Sequence, residues 1–463
     1  MEYVLYKYIK KTLTLYDIMD YLLKIQRAIL LFILVALALS CAKDRYFDID
    51  SSRAGDSSYT PGSGGRVTPV INRNVMIMIS GGRNSLSGYL ATDLEELESS
   101  YVPSGKYASE NVLVVISRIG FSKAEAVPTV MYRAYRDKNG NVVKDTLRTW
   151  GGTVPLFGES TLKDALTTIV DEFPGSHYGM VISSHATGYL PDGYYKDPEA
   201  YERSHPLKAS ALSLRKGRPG IEGEVFPPIP EYPAVKSIGQ DEESNSAVEM
   251  EIRAFRDAIP CYFDYILFDA CLMATVEVAY ELRDKAGIIG FSPTEILADG
   301  FDYKMLTSRL LKETPDPVQV CRDYFNQYAG KSDGGATISA VNTEHLEELA
   351  SVCSTLFQKY RDEISAVNAG NVQRYYRMER HFFYDLRDIL AKSGVSAEDL
   401  KSLDDVLEKV VIYKEHTPFF LSIPIGENTY SGLSMYLPAK GTAVLDKFYM
   451  ENLDWNTATQ LVK

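Results

Sequence analysis

Five short apolar runs, each long enough for one strand and too short for a buried helix, restrict most strongly what this chain can fold into. They fall at residues 75–79, 112–116, 178–184, 265–268 and 286–291. Strands without polar alternation are buried on both faces, and the stretches between them at 90–97, 161–173 and 247–258 carry helical spacing. Such an order predicts an α/β fold, a mostly parallel central sheet covered on both sides. Residues 129–149 depart from it, alternating about Asp137-Lys138-Asn139-Gly140, which reads as an inserted β-hairpin. From Pro317 onward helices predominate, with apolar runs at 335–341 and 432–437 as candidates to return to the sheet.

Residues 189–240 interrupt the alternation with Pro, Gly, Ser and basic residues and no periodicity. A loop of that length inside a compact domain is usually functional or mobile. The expected organisation is therefore a signal segment at 1–40, a tether at 41–70, a core at 71–305 containing this loop, and a further subdomain at 306–463.

The apolar run at 265–268 leads into Asp269, Ala270 and Cys271, after which Met273, Val276 and Tyr280 stand at helical spacing. Strand, tight turn and helix is the natural parse, with Cys271 at the helix N-terminus, where unpaired amides and the dipole favour a thiolate. A lone cysteine is most often a small buried packing residue. What distinguishes Cys271 is Asp269 two residues before it and a histidine, His185, at the carboxyl end of the 178–184 strand. Ligands of open α/β sheets bind at the carboxyl ends of strands, so the two residues open on one rim if their strands are neighbours. A thiol nucleophile, a histidine and amide donors at Cys271 and Ala186 make a complete set for acyl transfer.

Charge and cysteine usage remove other classes. A formal net charge of -13 leaves no basic face for nucleic acid. The cysteines at 41, 261, 271, 321 and 353 form neither a disulfide framework nor a metal-ligand spacing, so zinc is not expected. The acidic run Asp241-Glu242-Glu243 has no EF-hand spacing.

Near the N-terminus, Lys24 and Arg27 precede an uncharged run at 28–40 that is too short to span a bilayer and ends in Ala-Leu-Ser before Cys41. This pattern resembles a bacterial lipobox, in which the cysteine is lipidated, and it predicts export to the cell envelope with a membrane anchor at Cys41. Residues 42–70 are rich in Ser, Gly, Asp and Pro and read as a tether.

Residues 178–188, Ile238-Gly239-Gln240-Asp241, the segment from Phe268 through Cys271 to Ala274, and Glu277-Val278-Ala279-Tyr280-Glu281-Leu282 together resemble the clostripain family of cysteine peptidases. That family groups with caspases, legumains and gingipains. Tyr384-Asp385-Leu386 and the segment from Gly432 to Pro438 extend the likeness over most of the chain. The resemblance implies a caspase-like α/β/α sandwich with a largely helical C-terminal subdomain, a His185–Cys271 dyad, and cleavage of protein or peptide substrates after Arg or Lys. It also implies self-cleavage of the loop between the partners, where Lys208, Arg215, Lys216 and Arg218 are candidate sites. Asp269 matches the family's specificity position and Asp299 resembles a second acidic one, for a basic side chain needs a carboxylate partner. No cofactor is required, although some relatives use calcium. Ala186 stands where the family has glycine, which favours the alternative, a catalytically inactive surface lipoprotein that binds peptide or protein partners.

Overall fold

The computed structural model describes residues 73–81, 85–105, 111–121, 126–194, 198–206, 241–243, 246–248, 250–331, 334–376 and 382–463. The signal segment, the tether with Cys41, and the candidate cleavage sites Lys208, Arg215, Lys216 and Arg218 lie outside these residues. All described residues belong to one unit, Pro69–Lys463.

The apolar runs form strands. In chain order the main sheet contains β1 (Asn74–Gly81), β2 (Asn111–Arg118), β3 (Thr129–Arg136), β4 (Val142–Trp150), β5 (His177–Ser183), β6 (Phe263–Asp269), β7 (Ala286–Phe291), β8 (Thr337–Asn342) and β9 (Val411–His416). Their spatial order is β9-β8-β7-β6-β5-β1-β2-β3-β4. The five strands from β2 to β7 in that row are parallel, and antiparallel pairs flank them at both edges. All eight residues of β1 are buried, at about 1.5–3 kcal/mol for each large apolar side chain removed from water. The chain leaves β1 towards β2 on one side and β5 towards β6 on the other. The topological switch point therefore lies between the carboxyl ends of β1 and β5.

The hairpin at 129–149 is present as β3 and β4 and extends the sheet edge rather than standing apart. Its turn is held by Asp137 Oδ1, which accepts from the amides of Asn139 and Asn141, with Gly140 at φ 85°.

Three expectations need correction, and one strand was not foreseen. The helix placed at 247–258 begins only at Ile252, because its inward positions are Ile252, Phe255 and Ala258, while Ser246–Val248 pairs with Asp241–Glu243 as a small hairpin. The beginning of the 189–240 stretch is ordered: Tyr189, Leu190 and Tyr194 are buried and Pro198–Ser204 is helical. Aromatic packing organises it, with the Tyr194 ring edge-on to Tyr201 and Phe382 at 5.2 and 5.5 Å. Of the two late apolar runs, 335–341 supplies β8, but Ser434–Met435 pairs with Tyr384–Asp385 away from the main sheet. The last strand, β9, is a half-exposed edge whose mixed composition hides it from a search for apolar runs.

The C-terminal part is largely helical, including Leu346–Lys359 and Ala397–Val410, and these two pack on one another. Cys321, on the helix Pro317–Ala329, and Cys353, on Leu346–Lys359, are free, buried thiols. Among the described residues no helix is long and apolar enough to cross a membrane.

Candidate active site

β5 and β6 are adjacent and parallel, and their last residues, Ser183 and Asp269, are register partners. His185 and Cys271 each follow two residues later, so both sit on the same rim, beyond strands about 4.8 Å apart. The loops that carry them touch. A Cβ on Gly188 would meet Leu272 O at 2.7 Å, Phe383 Cε1 at 2.8 Å and Thr275 Cγ2 at 3.3 Å, and Gly188 has φ 62°. Only glycine lets the backbone after His185 approach the turn after Cys271 this closely.

Cys271 is not at a helix N-terminus. The helix begins at Val276, capped by Thr275 Oγ1, which accepts from Val278 N at 3.1 Å. Leu272 interposes a left-handed backbone at φ 59°, which a branched side chain rarely adopts, and so breaks the helical spacing read from Met273 onward. The turn is pinned instead to the 292–302 loop: Leu272 N donates to Thr294 O at 2.9 Å and Ala274 N to Ser292 O at 3.0 Å. Cys271 Sγ accepts from Ile296 N at 3.2 Å and lies 3.7 Å from Ile296 O. One backbone amide therefore contacts the sulfur where the sequence predicts a helix N-terminus. Sequence alone offers no signal for it, since a backbone donor leaves no mark on residue type.

His185 and Cys271 are both buried, at 6% and 1% exposure. Ser85, in the loop after β1, places its Oγ 3.2 Å from His185 Nε2. Ala186 is buried and lies outside the left-handed region, so the backbone there does not demand glycine.

The two acidic candidates separate. Asp269 is fully buried, and its Oδ2 accepts from Ser183 Oγ at 3.0 Å and from Tyr303 Oη at 2.5 Å. Asp299 is exposed and lines a cleft of 910 Å³ together with Ser85, Asp93, Phe301, Asp302 and Met305. Lys304 and Arg309 on its wall are paired with Glu96 and Asp323, at 2.8 and 2.7 Å, so the remaining carboxylates give the cleft an acidic balance. Burial, with Asp269 and Asp93 nearby, pushes the Tyr303 hydroxyl well above the ordinary tyrosine range, so it stays a donor to Asp269. Asp93 escaped the sequence reading although a signal existed. It occupies an inward position of the helix Ser87–Ser99 beside Leu90, Leu94 and Leu97, where a carboxylate is out of place unless it has work.

The C-terminal part braces the rim. Thr275 bridges to Ser434, whose amide donates to Ala274 O at 2.8 Å. Glu277 is fully buried and its Oε1 accepts from Tyr436 N at 2.9 Å and Tyr449 Oη at 2.6 Å. Tyr189, four residues beyond His185, stacks edge-on against the same Tyr436 and Tyr449. Among the described residues no group of three or more His, Cys, Asp or Glu is arranged to hold a metal ion.

Comparison with known proteins agrees with this architecture. The clostripain family profile matches residues 79–201 and 227–461, well over half of the chain. No protein of curated function matches. Among solved structures, an inactive zymogen of a C11 protease from Parabacteroides distasonis is 27% identical, covering 84% of this chain and 98% of its own, with a TM-score of 0.65. A secreted C11 cysteine protease from Bacteroides thetaiotaomicron, solved with an irreversible peptide inhibitor, is 22% identical over 84% and 98%, with a TM-score of 0.64, and shares the fold. The caspase-like sheet, the rim that gathers His185 and Cys271, and a profile match spanning sheet and helical subdomain make the chain a member of the clostripain family of cysteine peptidases.

Proposed function

We propose that the protein is an exported cysteine endopeptidase that hydrolyses peptide bonds after Arg or Lys, with Cys271 as nucleophile and His185 as its acid–base partner. The observation that carries this is the shared register: both residues stand two positions beyond the paired Ser183 and Asp269 on neighbouring parallel strands. The Cys271 thiolate attacks the scissile carbonyl and forms a tetrahedral oxyanion, for which the amides of Cys271 and Ala186 are the proposed donors. Collapse breaks the C–N bond, the amine leaves with a proton from His185, and a thioester remains. Water, giving a proton to His185, then hydrolyses the thioester and frees the thiol.

The acidic cleft is the proposed seat of the basic side chain. Asp299 meets the guanidinium or ammonium directly, and Asp269 supports the same field from beneath Tyr303. Burial of both Cys271 and His185 fits a latent chain activated by a cut among residues 186–236, at Lys208, Arg215, Lys216 or Arg218. Ala186, the residue that argued for an inactive relative, makes no left-handed demand that would disable the backbone. Export and lipid attachment at Cys41 rest on the basic and apolar pattern before that cysteine. Calcium, if it binds, is assigned no chemical step.

Fluorogenic Arg and Lys peptide amides, offered before and after limited trypsin treatment, test the activity. Hydrolysis by the wild type that is absent from Cys271→Ala supports it, and no turnover in either state overturns it. Intact mass of the same two proteins tests self-processing, which fails if both remain uncut.

A further inference from the structure

The switch point between β1 and β5 is spanned by a side-chain contact that neither the strand pattern nor the dyad assignment uses. Ser85 Oγ, from the loop after β1, lies 3.2 Å from Nε2 of His185, from the loop after β5. β1 and β6 flank β5 on opposite sides, so the loop that carries His185 follows a strand lying between the one that leads to Ser85 and the one that leads to Cys271. An imidazole has two nitrogens, and the partner of one decides which form the other takes. If the hydroxyl donates to Nε2, Nδ1 carries the proton and cannot accept one from a thiol. If the hydroxyl accepts from Nε2–H, Nδ1 is left to take a proton from Cys271 and later return one to the departing amine. In the imidazolium state both nitrogens are donors, and Ser85 is then an acceptor in either case.

We infer that Ser85 is the positioning residue of the catalytic histidine, its Oγ accepting from Nε2–H and so fixing Nδ1 as the nitrogen that exchanges protons with Cys271 and substrate. This rests on the dyad proposed above and extends it by a third member. A hydroxyl is a neutral acceptor, so it orients the ring and stabilises the imidazolium without the strong charge coupling that a carboxylate brings. Among the described residues, Ser85 shares the cleft with the carboxylates of Asp93, Asp299 and Asp302 and with the ion pairs Lys304–Glu96 and Arg309–Asp323, and Asp269 ends β6. Replacing Ser85 leaves all of these in place, so differences between variants report the hydroxyl. Ser85 also lines the cleft.

The test uses full-length protein with 13C-labelled histidine, the His185 signal being assigned by its loss in His185→Ala. Ser85→Ala should lower the titration midpoint of His185 by about one pH unit, and Ser85→Asp should raise it above wild type. Alkylation of Cys271 by iodoacetamide, followed by mass spectrometry against pH, should move its acid limb in the same directions. With an Arg or Lys peptide amide, Ser85→Ala should lower kcat about tenfold with KM unchanged, and Ser85→Asn, which keeps an acceptor, should recover most of the loss. An unaltered His185 midpoint and alkylation profile in both Ser85→Ala and Ser85→Asp overturns the inference, as does a Ser85→Asn variant no better than Ser85→Ala. The titration needs no turnover, so it decides the Ser85 contact even if the wild type hydrolyses nothing and the peptidase assignment falls.

Discussion

Ser183 and Asp269 are register partners across β5 and β6, and the Ser183 hydroxyl donates to Asp269 Oδ2 at 3.0 Å. The bond closes the carboxyl ends of the two strands that bear the candidate dyad. It also meets part of the hydrogen-bonding need of a carboxylate with no exposed surface. Ser183→Ala should therefore cost about 1–3 kcal/mol, because it deprives a buried acceptor of a donor. Urea unfolding followed by tryptophan fluorescence measures this; a midpoint equal to that of wild type means the pair is not structural.

Asp269 and Asp299 should respond differently to the same change. Asp299 stands at the open cleft, and Asp299→Asn should raise KM for Arg and Lys peptides about tenfold while the melting temperature stays put. Asp269 is enclosed by Ser183 and Tyr303, so Asp269→Asn should lower the melting temperature as well as kcat/KM. Steady-state kinetics and thermal melts on both variants decide it. A stable Asp269→Asn with an unstable Asp299→Asn would reverse the assignment of roles.

The approach of the two rim loops depends on Gly188. Alanine there meets φ 62°, at about 1–2 kcal/mol from the backbone alone, and drives its Cβ into Leu272 O, a backbone atom already committed to the turn beside Cys271. Gly188→Ala should separate the loops and reduce kcat/KM by at least about a hundredfold. Gly193→Ala is the matched control: its φ is 76°, and nothing lies within 4 Å of the added Cβ. Equal activity in the two variants would show that the close approach at Gly188 is unimportant.

The parts of this fold that could be read in advance are those governed by burial on both faces. The runs at 75–79, 112–116, 178–184, 265–268 and 286–291 became β1, β2, β5, β6 and β7 because strands with no exposed face leave an unbroken apolar trace. The placement of His185 and Cys271 beyond the carboxyl ends of two strands followed from the same runs. Ser85 could not be found the same way, because its contact with His185 depends on β1 lying next to β5, and strand order is not written in local pattern. The helix start was misplaced because Met273 fits helical spacing by chance, while the left-handed Leu272 and the Thr275 cap delay the helix to Val276. Asp93 was legible and overlooked: a carboxylate in a stripe of leucines.

Glu277 links the candidate nucleophile's turn to the C-terminal aromatic cluster, and its burial makes that link sensitive to pH. Loss of solvent pushes the carboxyl from 4.5 up to about 7, despite hydrogen bonds from Tyr436 N and Tyr449 Oη that pull the other way. In the unfolded chain the group ionises near its ordinary value, so between the two the folded state holds a proton that the unfolded state has lost. Its contribution to stability is complete below about pH 4.5, declines as pH rises and is gone above about pH 7; the swing is on the order of 3 kcal/mol. Asp385, pushed from 3.8 up to about 6 by burial, acts in the same sense at lower pH, so the Glu277 effect is best isolated between about pH 6 and 8. Glu277→Gln keeps the acceptor oxygen for Tyr436 and Tyr449 and cannot ionise. Over that interval the wild-type melting temperature should fall relative to that of Glu277→Gln. Parallel curves would mean that the carboxyl titrates at the same pH in the folded and unfolded chain, and that the tie between Glu277 and the aromatic cluster carries no pH dependence.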